Sequence, residues 1–563
     1  MALLSRWTLA LSLAGSLGAQ SLPDALAMVP EDASVLIILK ESGITDRKFQ
    51  AFTGRFGKGS SFHEWKTHFG RDLEGLGSGP ALFVEQKRPE QKASSDVLLA
   101  PVANYKALLR ELKAVPSGKL HTFKRKKQAF FIASRAGFAL FSKDKALLQQ
   151  VLQTQGGLQA SLSPQLPWLQ SHDVVGVVPE KTFRTAMATA KADLEKPDKA
   201  EAQALPTAKA TKEMVKLALE ALDRSASYFA FSMDLPEDRS LRASAKLFFR
   251  PGAPMASWAP KASVHPLLGV PTTPYALAMG GPSPKGVSTW MTDVLMPLFY
   301  RECAPGDLQS LKSIQGEIQG NVRSAAWILG APVAPGRGLL SGTSAVLKVE
   351  DPARYMDSLE RLTRLQADLA AKKPKGEAGT PVPLPVFTRN VLPGAPSVTV
   401  STPLGLPDSR PQDLIFQGMI FGGDRVEMSL AQADEHTLVA VVGGAEVLQR
   451  NLDAYRTPLG TLEQEAGVKA VDALLPAETP WRLYLHPGGM RDFAHSVLET
   501  LPLLPGGKTL PKVDTAPPVA LGLRIDAQGA DLSFVATGST LDALAKWGKD
   551  VKQLFPQEST CGD

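Results

Sequence analysis

The feature that most limits how this chain can fold is that it repeats itself. Asp96–Leu112, DVLLAPVANYKALLREL, returns as Ala345–Leu362, AVLKVEDPARYMDSLERL, and setting Tyr105 on Tyr355 also sets Leu109 on Leu359 and Leu112 on Leu362. Each copy is a strand-like run leading into a helix with apolar residues at i, i+4 and i+7, a single stripe that has to face a sheet. Further matches follow in the same order. Val29–Leu39 and Val270–Met279 both pass a proline and enter an apolar strand. Pro167–Val178 and Pro480–His486 both read as a Pro-Trp entry to a strand with a helix behind it, the second from Met490 to Leu501. Tyr228–Phe248 reads as a hairpin around Pro236-Glu237-Asp238 with Phe229, Phe231, Met233 and Leu235 on one face, as Leu521, Leu523 and Ile525 are in the run from Val519.

Hairpins that alternate with helices predict an α+β class of two related halves, each a largely antiparallel sheet covered by helices. The halves are expected at 20–250 and 267–563, joined by the proline-rich stretch Pro251–Pro266, where fixed φ angles and missing N–H donors discourage a continuous element. Ala190–Thr211 reads as helical pieces or a bridge. Ala370–Gln412, with its Gly/Pro-rich and basic composition, reads as a loop inserted into the second half. The C-terminal spacing of Leu541, Leu544, Trp547, Val551 and Leu554 predicts a docked helix.

The first residues point to export. Arg6 precedes an apolar stretch, Trp7–Leu17, and small residues at Ser16, Gly18 and Ala19, the layout of a signal peptide over 1–19. The stretch is about half of the ~20 apolar residues that span a bilayer. No cysteine lies there to carry a lipid, so a periplasmic or secreted protein without a transmembrane segment in its mature chain is expected. Only Cys303 and Cys561 are present, too few for a disulfide framework; whether they are bridged is left open by the sequence. A net charge of +6 on 563 residues is thin, and the one dense basic run, Lys124–Lys127, reads as a solvated hairpin turn, which argues against a nucleic-acid partner.

The search for chemistry assigns no catalytic, cofactor-binding or metal residue. His63-Glu64 and His68 stand five apart, which turns the second ring about 140° away from the first on a helix, whereas a zinc helix needs i and i+4. His121, His172, His265 and His436 show no ligand spacing, and His486 and His495 flank a Gly-Gly turn across which they could converge. Gly506-Gly507-Lys508-Thr509 resembles the end of a phosphate loop, but Pro502 stands where its first glycine belongs. Gly75, Gly77 and Gly79 precede a strand instead of following one, unlike a dinucleotide fingerprint. The strained serine elbow of α/β-hydrolases is missing.

The acid-rich entry Val29-Pro30-Glu31-Asp32, the segment Phe69-Gly70-Arg71-Asp72-Leu73, the units around Tyr105 and Tyr355 and the hairpin at Phe130–Phe141 together resemble a family of exported bacterial proteins known only as a domain of unknown function. That resemblance implies a duplicated α+β architecture and an envelope or extracellular location, and carries over no catalytic residue. The leading expectation is an exported, non-catalytic binding or scaffold protein with an envelope protein or apolar ligand as partner. The alternatives are a carrier of an apolar ligand beside Phe229, Phe231 and Leu247, and a hydrolase whose site assembles from distant residues.

Overall fold

The computed structural model describes residues 20–54, 73–87, 94–125, 128–196, 206–260, 265–300, 303–332, 338–372, 384–404, 411–500 and 509–554. The signal-peptide stretch, His63 to His68, Pro502 to Lys508 and Cys561 lie outside them. The chain forms two compact units, one running to Asp193 together with Ala226–Phe248, the other of Leu194–Ser225 and Phe249–Asp563.

The first unit holds β1 (Val35–Leu39), β2 (Ala81–Gln86), β3 (Ser95–Pro101), β4 (Val115–Ser117), β5 (Leu120–Arg125), β6 (Gln128–Arg135), β7 (Phe138–Ser142), β8 (Val174–Val178), β9 (Ala226–Asp234) and β10 (Leu241–Phe249). Its helices are α1 (Leu22–Leu26), α2 (Ser42–Thr53), α3 (Tyr105–Glu111), α4 (Lys145–Gln153), α5 (Gln159–Leu162), α6 (Leu166–Ser171) and α7 (Glu180–Glu195), the last ending in the second unit's first residues. The strands lie side by side as β4-β5-β6-β7-β3-β2-β1-β8-β9-β10.

The second unit opens with α8 (Pro206–Ser225). Then come β11 (Leu277–Pro282), α9 (Lys285–Trp290), α10 (Met296–Phe299), α11 (Pro305–Asn321), β12 (Val322–Leu329), β13 (Thr343–Val349) and α12 (Pro352–Lys372). They are followed by β14 (Val386–Arg389), β15 (Ser397–Pro403), α13 (Pro411–Phe421), β16 (Arg425–Asp434), β17 (Thr437–Val442), α14 (Ala445–Arg456), α15 (Ala466–Asp472) and β18 (Trp481–Leu485). The chain closes through α16 (Pro487–Thr500), β19 (Val519–Ile525), β20 (Gly529–Ala536) and α17 (Gly538–Leu554). The strand order is β14-β15-β16-β17-β13-β12-β11-β18-β19-β20. Antiparallel sheet with helices on its faces makes the protein α+β.

Strand periodicity divides each sheet into two faces. On the inner face of the first unit, Leu36, Ile38, Leu82, Leu99, Leu140, Val175 and Val177 are closed over by Leu26 of α1, Leu147, Leu148 and Val151 of α4 and Leu169 of α6. Two groups fix α4 there: Asp144 caps its start, accepting from Ala146 and Leu147 N–H, and Arg135 donates to Val151, Leu152 and Thr154 carbonyls at its end. In the second unit the inner face packs Ala278, Ala326, Ile328, Tyr484 and Val535 against Val468 and Val471 of α15, and Val439 and Val441 against Leu448 and Leu452 of α14.

The outer faces are covered only in part. Leu108 of α3 closes over Leu98, Phe123, Ile132 and Phe141, with Tyr105 packed alongside. Met356 of α12, flanked by Tyr355 and Leu359, closes over Leu347, Val398, Leu430 and Leu438. Tyr105 is the first residue of its helix and Tyr355 the fourth, and each helix links the third strand of its unit to the fourth. Burial pushes the Tyr105 hydroxyl up to about 12 and raises that of Tyr355.

Several sequence expectations need correction. Residues 370–412 are not all an inserted loop, because α12 continues to Lys372 and the β-branched runs VFTR and SVTVSTP form β14 and β15. The stretch 251–266 is not a bare linker: Pro254–Trp258 forms a short 3-10 helix, buried at Met255, whose N–H donates to Ser225 Oγ of α8. Trp168 and Trp481 are not equivalent. The former lies in α6 on the inner core, while the latter is the first residue of β18. Gly488 and Gly489 are the first turn of α16, not a turn between two histidines.

Candidate binding face

Where α3 and α12 stop, the outer faces carry large apolar side chains on central strands. In the second unit one row of directly opposite residues crosses five strands: Phe534 pairs with Leu521, Leu521 with Leu483, Leu483 with Met279, and Met279 with Trp327. The neighbouring outward positions are Leu532, Leu523 and Trp481 on one side and Leu485, Leu277 and Leu329 on the other. Met279 is 41% exposed, Trp327 37% and Leu532 45%. The inward neighbours of the same strands, Ala278, Ile328 and Tyr484, are buried. Five strands and three outward positions per strand give a face of roughly 19 Å by 13 Å.

Two close approaches shape these faces. A Cβ on Gly281 would sit 2.0 Å from Trp481 Cδ1, so only glycine lets the indole lie flat on β11, where its N–H donates to the Pro282 carbonyl at 3.0 Å. In the first unit a Cβ on Gly176 would sit 2.0 Å from Phe231 Cζ, and Phe231 covers this strand while remaining 40% exposed. Its row continues through Gly176 to Ile37 and Phe83. Phe229, Phe231 and Met233 therefore do share a face, as their alternation predicts. It is the outer face, with Phe229 and Leu247 half-buried, and the core on the other side is reached by Ala230.

The polar groups form two networks at strand ends. In the first unit Lys48 Nζ lies 2.8 Å from Asp173 Oδ1, Asp173 Oδ2 accepts from Leu235 N–H, and Asp234 accepts from Asp173 N–H and contacts His172 Nδ1 at 2.8 Å. Burial alone would raise the Asp234 carboxyl, but His172, the Asp173 N–H and the Arg242 charge outweigh it and hold the group below its usual range. Beside this network a cavity of about 100 Å³ lies between α2 and the β9–β10 turn, lined by Lys48, Phe52, Leu235 and Ser240. It is smaller than the roughly 300 Å³ at which ligand pockets begin.

In the second unit Asp472 receives His265 Nε2 at 2.8 Å, Tyr484 OH at 2.7 Å and Arg482 Nη1 at 3.0 Å. Leu267 N–H donates to His265 Nδ1, so in the neutral ring Nε2 carries the proton and donates to Asp472. Burial works to raise Asp472, and its three partners more than offset this. Burial raises the Tyr484 hydroxyl, with the Asp472 charge adding to it. Among the described residues neither His172 nor His265 has a serine or cysteine as hydrogen-bond partner. Both networks join elements: the first ties α2, β8 and β9, the second ties the approach to β11, α15 and β18.

The remaining sequence candidates have local uses. Gly75 O accepts from Ala103 and Asn104 N–H, which turns the glycine cluster into a seat for the start of α3. Lys124–Lys127 falls at the β5–β6 hairpin, with Lys126 and Lys127 outside the described residues. His486 Nδ1 accepts from Gly489 N–H and His495 pairs with Glu499; the structure gives them separate partners. Cys303 is a free cysteine. Among the described residues no group of three or more His, Cys, Asp or Glu is placed to hold a metal, and no helix is long and apolar enough to cross a membrane. No protein-family model, curated protein or solved structure matches the chain.

Proposed function

We propose that the chain is an exported, non-catalytic binding or scaffold protein of the bacterial envelope or exterior, built from two related halves, whose working surface is the apolar outer face of the second unit. The observation that carries this reading is the row from Phe534 to Trp327. A sheet face left to water normally alternates to polar side chains, and contiguous exposed apolar surface on a soluble fold marks an interaction site. Duplication is supported by the shared strand order, in which every strand of the second unit stands where the strand ten places earlier stands in the first. It also agrees with the resemblance to the exported family of unknown function.

The face is tested with anilinonaphthalene sulfonate, a dye that lights up on apolar surface. The folded mature protein binds it, and Met279→Glu with Trp327→Glu removes most of the signal without changing the far-ultraviolet circular dichroism. A folded wild-type protein that leaves the dye dark overturns the reading. Export is tested by intact mass: the chain from its native host begins near Ala19 or Gln20, and a mature product that retains Met1 contradicts it.

A further inference from the structure

We infer that Gln20 is the first residue of the exported chain and that the fold keeps it an open-chain glutamine, protected from the cyclisation open to a free N-terminal glutamine. The inference rests on the export reading. A leader over 1–19 ends in the small residues Gly18 and Ala19, and a cut behind them frees the amine of Gln20. That amine can attack its own side chain. The nitrogen adds to Cδ, the new N–Cδ bond closes a five-membered lactam, and the Cδ–Nε2 bond breaks. The amine passes one proton to Nε2, which leaves as ammonia.

The first unit gives this side chain a seat. Gln20 is half-buried, and its Nε2 donates to the Val102 carbonyl at 2.8 Å, one residue beyond β3. A Cβ on Gly137 would lie 2.9 Å from Gln20 Cγ, 3.3 Å from Nε2 and 3.5 Å from Cδ, and one on Gly77 would lie 3.4 Å from Oε1. The amide thus rests between two glycines, one from the cluster that precedes β2. Gly137 serves twice: its φ of +80° completes the two-residue turn between β6 and β7, and its missing side chain leaves room for the glutamine. The residues behind it are fixed as well. Ser21 caps α1 by accepting from Asp24 N–H, and Leu22, Ala25 and Leu26 are buried. Cyclisation expels the very nitrogen that bonds Val102, so it proceeds only from a released side chain, and a terminus tied down in this way is released rarely.

The test reads intact mass on the folded protein from its native host and on a synthetic peptide of Gln20–Val29, both incubated in phosphate buffer below the unfolding temperature. The host chain starts at Gln20 with its full mass. The peptide then loses one ammonia at least about ten times faster than the folded chain, the factor that one seated hydrogen bond with its packing supplies. Gly137→Ala, which crowds Gln20 Cγ, moves the folded rate toward that of the peptide; should this variant not fold, the comparison of wild type with peptide decides alone. A host chain that starts at Gln20 but is already lighter by one ammonia, or a folded chain that cyclises as fast as the peptide, overturns the inference and leaves export standing. A chain cut at another position behind the leader does the same. A chain that retains Met1 removes both.

Discussion

Asp472 shows what single residues do in this fold and what a sequence hides about them. Its carboxylate gathers His265, Tyr484 and Arg482, and His265 lies 207 residues away along the chain. No spacing rule reaches that far, so the histidine search finds neither this network nor the one at His172 and Asp234. Both are built from residues that look ordinary alone. Because the partners of Asp472 hold its carboxyl below the ordinary range in the folded state, it binds a proton more tightly when unfolded. Its stabilisation is therefore complete above the unfolded carboxylate range near pH 4 and is lost as pH falls through the lower, folded value. Asp472→Asn accordingly lowers stability at pH 7 and flattens the acid limb of the stability curve. Urea midpoints between pH 3 and 7 check this; an acid limb as steep as that of the wild type contradicts it.

At the scale of elements, periodicity in the sequence locates strands and helices better than it assigns their faces. The hairpin around Pro236-Glu237-Asp238, the strand-helix units at Tyr105 and Tyr355 and the docked C-terminal helix all form. Alternation of Phe229, Phe231 and Met233 also predicts a shared face, yet the inner core lies behind Ala230 on the other side. The reason is physical: the inner positions of β9 are Ala226, Tyr228, Ala230, Ser232 and Asp234, smaller and more polar than the outer set, so a period of two says which residues go together while size and polarity point to the wrong set as the buried one. The misread excursion has a similar cause. Prolines and glycines recur at 373–383 and 404–411, and of the two β-branched runs between them the edge strand β14 has only 4 residues while β15, paired on both sides, ends in a proline, so neither stands out from its surroundings.

For the whole molecule, the legible signal is the order of elements, and the illegible one is which surface is left open. Repetition of the helices at Tyr105 and Tyr355 implies that one face of each sheet is covered, whereas the extent of that cover depends on where α3 and α12 end relative to the central strands. The account's central claim is that β12 has one face in the core and one face available to a partner. Trp327 and Ile328 are adjacent on that strand, the first 37% exposed and the second 4%. The decisive measurement is the urea unfolding free energy of two single variants. Trp327→Glu puts its new charge at a position open to water and costs roughly 1–2 kcal/mol in lost packing, while Ile328→Glu forces a charge into the inner core and costs at least about 4 kcal/mol or abolishes folding. Equal, severe losses from both substitutions would mean that the outer face is core, and would contradict the account.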